Sequence, residues 1–336
     1  GCLWGDIYKR QAIWALIGLV FFIIMSNFNY RRLWDMTYVL YLLAVGLLIM
    51  VFVLGIVRLG AQRWIKLSWF NLQPSEVIKL TIVIFLARYF SLKSSDNVFL
   101  STNRLGIARG LLIPFIFVAV PMFLIIEQPD LGSAIMLLFI FMVMLYLSGV
   151  RMRYLIGFVV MGFAVAPVFW HMLRDYQKDR LMVFLNPNID PLGAGYTIIQ
   201  SKIAIGSGGI FGKGWLSGTQ SQLHFLPESH TDFVFATFAE EWGFLGCIVL
   251  LALYFMLLRK GVSIALGTKD QFGRLLAYGI SFMLGIQILI NLAMNMGLAP
   301  VVGIPLPLMS YGGSSMVVTF IALGILVNID KRRSVF

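Results

Sequence analysis

Residues Phe225–Phe244 read FLPESHTDFVFATFAEEWGF, and the rest of the chain is interpreted outward from them. They hold four carboxylates, Glu228, Asp232, Glu240 and Glu241, in a 336-residue polypeptide that is 60% hydrophobic and 12% charged. An ionisable group in an apolar span is costly, so such a cluster marks a place of function. Asp232 stands where the apolar run begins. Glu240 and Glu241 fall about 12 Å further along a helix rising 1.5 Å per residue, too far to share one proton transfer with it. Those two are expected to serve a cavity or helix packing.

Outside this stretch, apolar runs of 17–25 residues recur along the whole chain, which is the length that crosses a bilayer as a helix. Backbone in lipid must satisfy its own hydrogen bonds, so the expected fold class is all-α, a polytopic transmembrane helical bundle. About nine spans are expected, near 11–26, 36–55, 74–92, 110–126, 131–149, 154–173, 233–258, 274–297 and 314–329. Cys2 and Cys247 are the two cysteines, which gives neither a disulfide framework nor a thiolate metal site. The net charge of +11 is spread over short loops and builds no continuous basic face, so nucleic acid is not an expected partner.

The loops orient the bundle. Fifteen of the 26 Lys and Arg residues lie on one side, among them Arg31, Arg32, Arg104, Arg151, Arg259 and Lys331, and that side reads as cytoplasmic. Nine spans then place Gly1 outside, and one further helix ahead of it would restore a cytoplasmic start. The opposite face receives three unusual segments. Arg58–Gln73 mixes cations with Trp64 and Trp69. Residues 186–232 form a long loop, and loops of that length in compact proteins tend to be functional. Leu298–Gly313 packs prolines and glycines at membrane depth, which is tolerated where backbone lines a cavity or is buried in protein.

Each candidate residue has two readings. Gly206–Gly214, GSGGIFGKG, lets backbone N–H groups approach an anion beside Lys213, or it is a hinge; it lacks the first glycine and the Ser or Thr of a nucleotide-binding P-loop. Arg58, Arg63, Lys66, Arg174, Lys178, Arg180, Lys202 and Lys213 face the side that the charge rule disfavours. They either hold an anionic substrate or snorkel to the interface. Glu76 and Lys79 follow Pro74 at i, i+3, as a structural ion pair or as a cavity-lining one. Asp130 in EQPDLG can cap the next helix. His171, His224 and His230 show no metal-binding spacing, so no metal site is expected. Asp232 can cap the helix that follows it. Among Pro227, Glu228, His230 and Thr231 at the membrane edge, it can equally be a general base.

At this point the sequence resembles a known family. GAQRWIKL (60–67), QPSEVIKL (73–80), QPDLGSAI (128–135), the run from Asn186 to Phe233 and PVVGIPLPLMSYGGSS (300–315) resemble the SEDS family (shape, elongation, division, sporulation), with details nearer its elongation branch than its division branch. The resemblance spans essentially the whole chain as a single membrane domain, with 186–232 as an extracytoplasmic catalytic loop. It implies a ten-span bundle whose second span is the first seen here.

The implied activity is a peptidoglycan glycosyltransferase that polymerises lipid II at the outer face of the bacterial cytoplasmic membrane. Undecaprenyl-pyrophosphate-linked glycan would be the donor. A class B penicillin-binding transpeptidase would be the partner, alongside elongation proteins such as MreC and MreD. Asp232 matches the family's essential aspartate and is the expected catalytic base. Trp64, Arg63, Glu76, Lys79, Asp130, Lys202, Lys213, Glu228, His230 and Ser310 are the expected substrate-binding residues. No cofactor is evident, although a divalent cation on the pyrophosphate is compatible with the chemistry. The alternative is a lipid II flippase, which would call for inverted repeats that the sequence does not display.

Overall fold

The computed structural model describes residues 2–58, 61–67, 70–94, 108–172, 175–186, 189–190, 193–223 and 225–333. Trp69, Arg104, Arg174 and His224, singled out above, lie outside the described residues. Helices dominate: α1 (Cys2–Asn27), α2 (Arg31–Leu54), α3 (Pro74–Ser94), α4 (Ile113–Glu127, entered through a π-helical turn at Ala108–Leu112), α5 (Leu131–Leu147) and α6 (Met152–Met172) come first. Then come α7 (Asp175–Leu185), α8 (Ala194–Ser207), α9 (Thr219–Gln222), α10 (Val234–Gly267), α11 (Gln271–Asn295) and α12 (Gly313–Arg332). All nine expected spans are present as helices. Among the described residues, six helical segments are long and apolar enough to cross a membrane, within α1, α2, 110–127, α10, α11 and α12. Their exposed Leu, Ile, Val and Phe side chains are what lipid requires of a multi-pass protein.

Among the described residues the all-α expectation has one exception. Residues 55–58, 61–67 and 70–72 form a small antiparallel sheet in the order β1 (Gly55–Arg58), β2 (Ala61–Leu67), β3 (Phe70–Leu72). Trp64 lies opposite Ile56, and Ile65 opposite both Gly55 and Leu72. Too polar for a span, this segment satisfies its backbone by pairing with itself.

The chain divides into two compact units. The first comprises Gly1–Leu155, Leu258–Ile286 and Gly312–Phe336; the second comprises Ile156–Leu257 and Gln287–Tyr311. In the first, α3 is buried nearly all round, with Ile78, Ile82, Val83, Leu86 and Phe90 at 0% exposure. This is why it tolerates a charged sequence that no lipid-facing helix could carry. Helices α1 and α12 pack closely where small residues meet large ones: Gly18 faces Phe320, and Gly324 faces Met25. A polar latch ties the ends of these helices. Asn328 accepts from Tyr30 N at 3.0 Å and donates to Ser26 O at 2.9 Å, while the Tyr30 hydroxyl donates to Asp270 at 3.2 Å. In the second unit, Ala204 on α8 packs with Leu226, Phe233 and Ala236 in an apolar cluster under the start of α10.

Candidate active site

Residues 225–233 reach α10 through tight turns. Glu228 adopts a φ of +53°, the left-handed region that few side chains occupy. Its carbonyl there accepts from Thr231 N at 3.1 Å and Phe233 N at 3.3 Å, and its carboxylate accepts from the Thr231 hydroxyl at 3.0 Å. Phe233, 3% exposed, is driven into the apolar cluster, so the residue before it is fixed at the cluster's edge. That residue is Asp232, half-buried and two residues ahead of α10.

Three consecutive carbonyls in this turn are held from other segments. Tyr311 N donates to His230 O at 2.8 Å. The Ser310 hydroxyl donates to Thr231 O at 2.6 Å while accepting from Leu306 N at 2.7 Å. The side-chain amides of Asn291 and Asn295 both donate to Asp232 O, at 3.1 and 3.0 Å. Asn291 and Asn295 are each 0% exposed and stand one turn apart at the end of α11. Asn295 also accepts from Ala236 N at 3.1 Å, which supplies one of the unpaired N–H groups in the first turn of α10. The predicted site residues His230, Asp232, Glu228 and Ser310 thus come together in one turn. Ser310 enters as a support of the backbone.

The segment 297–303 runs past this turn. A Cβ placed on Gly303, whose φ is +72°, would lie 3.4 Å from Asp232 Oδ2, so the carboxylate lies directly over bare backbone. At Gly297 the stem of Lys202 crosses the backbone, and between them Arg180 donates to Val301 O at 3.2 Å. Lys202 remains exposed. Two cations and a carboxylate therefore follow one another along a seven-residue stretch.

Lys213 is placed differently. Its ammonium lies 2.7 Å from Glu240 Oε1, and Glu240, 0% exposed, also accepts from the Thr219 hydroxyl at 3.0 Å and Gln220 N at 3.1 Å. Backbone bonds run alongside, from Lys213 N to Glu240 O and from Gly214 N to Glu241 O, both at 3.0 Å. Opposite them α10 breaks at Gly243, with φ 64° and ψ −164°, and a Cβ there would lie 2.3 Å from Gly212 N. At Gly208 and Gly212 the glycine-rich motif thus clasps two backbones, a Cβ at Gly208 lying 2.1 Å from Ala239 O, and Glu240 takes the packing role expected for it.

The remaining predicted residues belong to the first unit. Asp130, 2% exposed, caps α5 through Ser133 N at 3.3 Å and accepts from the Ser75 hydroxyl at 3.2 Å. Arg63 reaches Asp130 Oδ1 at 3.9 Å and donates to the carbonyls of Gln128 and Pro129. Glu76 and Lys79 pair at 2.7 Å, both almost fully buried. Trp64 is half-buried on β2. Among the described residues no three His, Cys, Asp or Glu side chains group so as to hold a metal ion.

Sequence reasoning missed Asn291 and Asn295. The available signal was two amides at i, i+4 in an apolar helix, as costly to bury there as the carboxylates that drew attention.

Comparison with known proteins identifies the family over nearly the whole chain. Residues 5–335 match the FtsW/RodA/SpoVE family, described as cell cycle protein. The peptidoglycan glycosyltransferase MrdB of Escherichia coli K12 is 42% identical over 326 residues, covering 97% of this chain and 86% of that protein. A probable peptidoglycan glycosyltransferase FtsW of Geobacter metallireducens is 40% identical, covering 96% and 84%. Among solved structures, a chain of a peptidoglycan synthase complex, described as coordinating polymerization and crosslinking, superposes with a TM-score of 0.81 at 33% identity, covering 98% of this chain and 90% of that one. The rod shape determining protein RodA of Thermus thermophilus gives 0.71 at 29% identity, covering 98% and 88%.

Proposed function

The chain belongs to the FtsW/RodA/SpoVE family, and we propose that Asp232 is the general base with which this peptidoglycan glycosyltransferase joins two lipid-linked sugars. The observation that carries the assignment is the held turn. Its three fixed carbonyls hold a half-buried carboxylate over bare backbone at Gly303.

In this reading Asp232 takes the proton from the N-acetylglucosamine 4-hydroxyl of lipid II. That oxygen attacks the anomeric carbon of a second lipid-linked glycan, a new C–O bond forms, and the bond to undecaprenyl pyrophosphate breaks. An α-linked donor giving a β-1,4 bond requires one inversion, hence a single displacement without a covalent enzyme intermediate. Lys202 and Arg180, which meet the 297–303 segment at Gly297 and Val301, are candidates to stabilise charge developing on the leaving pyrophosphate. A divalent cation carried by that pyrophosphate would act in the same place, and polymerisation with and without chelator tests it.

The reaction side is proposed as extracytoplasmic in the bacterial inner membrane, from the distribution of Lys and Arg among the loops. A class B penicillin-binding transpeptidase is the proposed partner, with MreC and MreD as further members of the elongation assembly. Supplied with labelled lipid II in detergent, the protein with its transpeptidase partner lengthens glycan; a flippase would not. General-base removal typically costs about 100- to 10,000-fold. Asp232→Asn polymerising at the parent rate would end the assignment.

A further inference from the structure

We infer that Asn291 and Asn295 are positioning residues for the glycosyl transfer, acting through the backbone of Asp232. Three observations meet there. Both amides donate to the same acceptor, Asp232 O, at 3.1 and 3.0 Å. Each is also fixed at a second point: Asn291 donates to Ile304 O at 2.8 Å, next to Gly303 under the carboxylate, and Asn295 accepts from Ala236 N at 3.1 Å in the first turn of α10. The two side chains bond to each other, with Asn295 Nδ2 at 3.2 Å from Asn291 Oδ1 and at 2.8 Å from Asn291 O. Asn295's own carbonyl accepts from Ser201 on α8 at 2.7 Å.

The pair therefore links the three segments that bound the carboxylate: the 230–233 turn, the 297–304 strand of backbone, and the start of α10. Burying two amides in a membrane helix is unfavourable unless every polar atom is used. These two place their donors on the carbonyl of Asp232, and other side-chain chemistry would have capped α10 at less cost. A reacting oxygen must lie about 3 Å from the base, and misplacement by about 1 Å can cost about 100-fold in rate. A rigid pin one bond from Cα of the base meets that requirement without entering the sugar site.

The inference rests on Asp232 being the base, and the two readings fail in different ways. The test uses the protein with its transpeptidase partner, lipid II as substrate, and three readouts: kcat, KM for lipid II and melting temperature. Asn295→Ala loses the donor to Asp232 O and the acceptor for Ala236 N; Asn291→Ala loses both donors. Each is expected to lower kcat about tenfold to hundredfold with KM within twofold, at temperatures where the variant is fully folded, whereas Ser281→Ala, a control that removes a buried hydroxyl bond on the same helix, leaves kcat unchanged. Asp232→Glu, which moves the carboxylate by a methylene, is expected to cost much less in the Asn295→Ala background than in the parent, because position is already lost. Multiplicative losses in that pair overturn the proposal. So do kcat losses that track thermal destabilisation, variants that do not fold, or an unchanged kcat. If Asp232→Asn and Asp232→Glu are both active in the parent, the base assignment fails and the pinning question is separate from it.

Discussion

Removing Lys213 should harm this protein more than removing the charge of its partner Glu240, although Lys213 is the residue nearer to solvent. The Lys213 side chain is 28% exposed and that of Glu240 is 0%. In Lys213→Met the carboxylate stays where it is, holding Gln220 N and the Thr219 hydroxyl but no cation, out of reach of water. Breaking a buried pair in this way costs about 3–5 kcal/mol, because the remaining charge is uncompensated. In Glu240→Gln the amide oxygen still accepts from Gln220 N, and the ammonium turns to water through the opening it already has. A charge-assisted hydrogen bond of about 1.5–3 kcal/mol, discounted for that exposure, leaves about 1–2 kcal/mol. The double variant Lys213→Met, Glu240→Gln should then be more stable than Lys213→Met alone, by about 2 kcal/mol.

Melting temperature in detergent and protease resistance of residues 208–223 report the order. Lys213→Met is expected to be worst, with Glu240→Gln and the double variant close together. Glu240→Gln proving as damaging as Lys213→Met would refute the burial argument. The same set decides the role of Lys213. If it grips pyrophosphate, Lys213→Met raises KM for lipid II with protease resistance intact, and Glu240→Gln does not rescue it. If it fastens the clasp, activity and resistance return together in the double variant.

Three more outcomes follow from the same geometry. Gly243→Ala and Gly212→Ala should leave almost no folded protein, since a Cβ would meet Gly212 N at 2.3 Å in the first and Glu241 O at 2.1 Å in the second; Gly209→Ala, with a φ of +57° and open space, should lose only about 1–2 kcal/mol, and equal yields for all three would contradict the clasp. Lys79→Met should cost about 3–5 kcal/mol, while Glu76→Gln with Lys79→Met should be nearly neutral, as measured by melting temperature; a harmless single variant would mean that water reaches the pair. Burial first, then the charge of Asp270, hold the Tyr30 hydroxyl above its ordinary value of 10.0, so the folded state keeps this proton more tightly than the unfolded chain. Its contribution is fully present below pH 10 and is lost as pH rises above it; Tyr30→Phe should flatten that alkaline decline, and an unchanged profile would remove Tyr30 as its source.

Spans were legible because a membrane imposes one length and one composition on every helix that faces lipid. α3 was legible on length and on Pro74, although its charges hide it from a hydropathy scan. Residues 55–72 were not read as strands: Gln62, Trp64 and Lys66 do alternate with Arg63 and Ile65, but three to seven residues carry too little pattern against the mixed charge. Residues 186–232 were read as one loop because their glycines and prolines dominate. Helix α8 was nonetheless written at spacing three, in Ile198, Ser201 and Ala204, whose exposures are 2%, 0% and 0%. Asp232 stood out in the sequence as one of four carboxylates, at a membrane edge, and the resemblance rather than spacing selected it over Glu228. What held it was not found, because the donors come from Asn291, Asn295, Ser310 and Tyr311, some sixty to eighty residues downstream. Only folding brings them there. The backbone contacts of Gly208 and Gly212 were hidden for a related reason: a glycine that admits a ligand and one that admits another backbone look alike until the partner is seen.

The form of that support bears on the reaction. A general base changes charge during every turnover, taking a proton when the sugar hydroxyl attacks and giving it up afterwards. Hydrogen bonds made to the carboxylate itself would strengthen in one state and weaken in the other, so a base located only by its own side-chain bonds would shift as it worked. The bonds from Tyr311, Ser310, Asn291 and Asn295 go to peptide carbonyls, whose capacity to accept does not depend on whether Asp232 is protonated. At these bonds, position and protonation are separated. Replacing Ser310 by Ala removes the 2.6 Å bond to Thr231 O and the acceptor for Leu306 N together. It should then lower kcat by a similar factor across the pH range and leave the shape of the pH–rate curve as it was. A variant that moved the curve along the pH axis would show that these contacts set the proton affinity of Asp232 as well as its place, and the separation would be false.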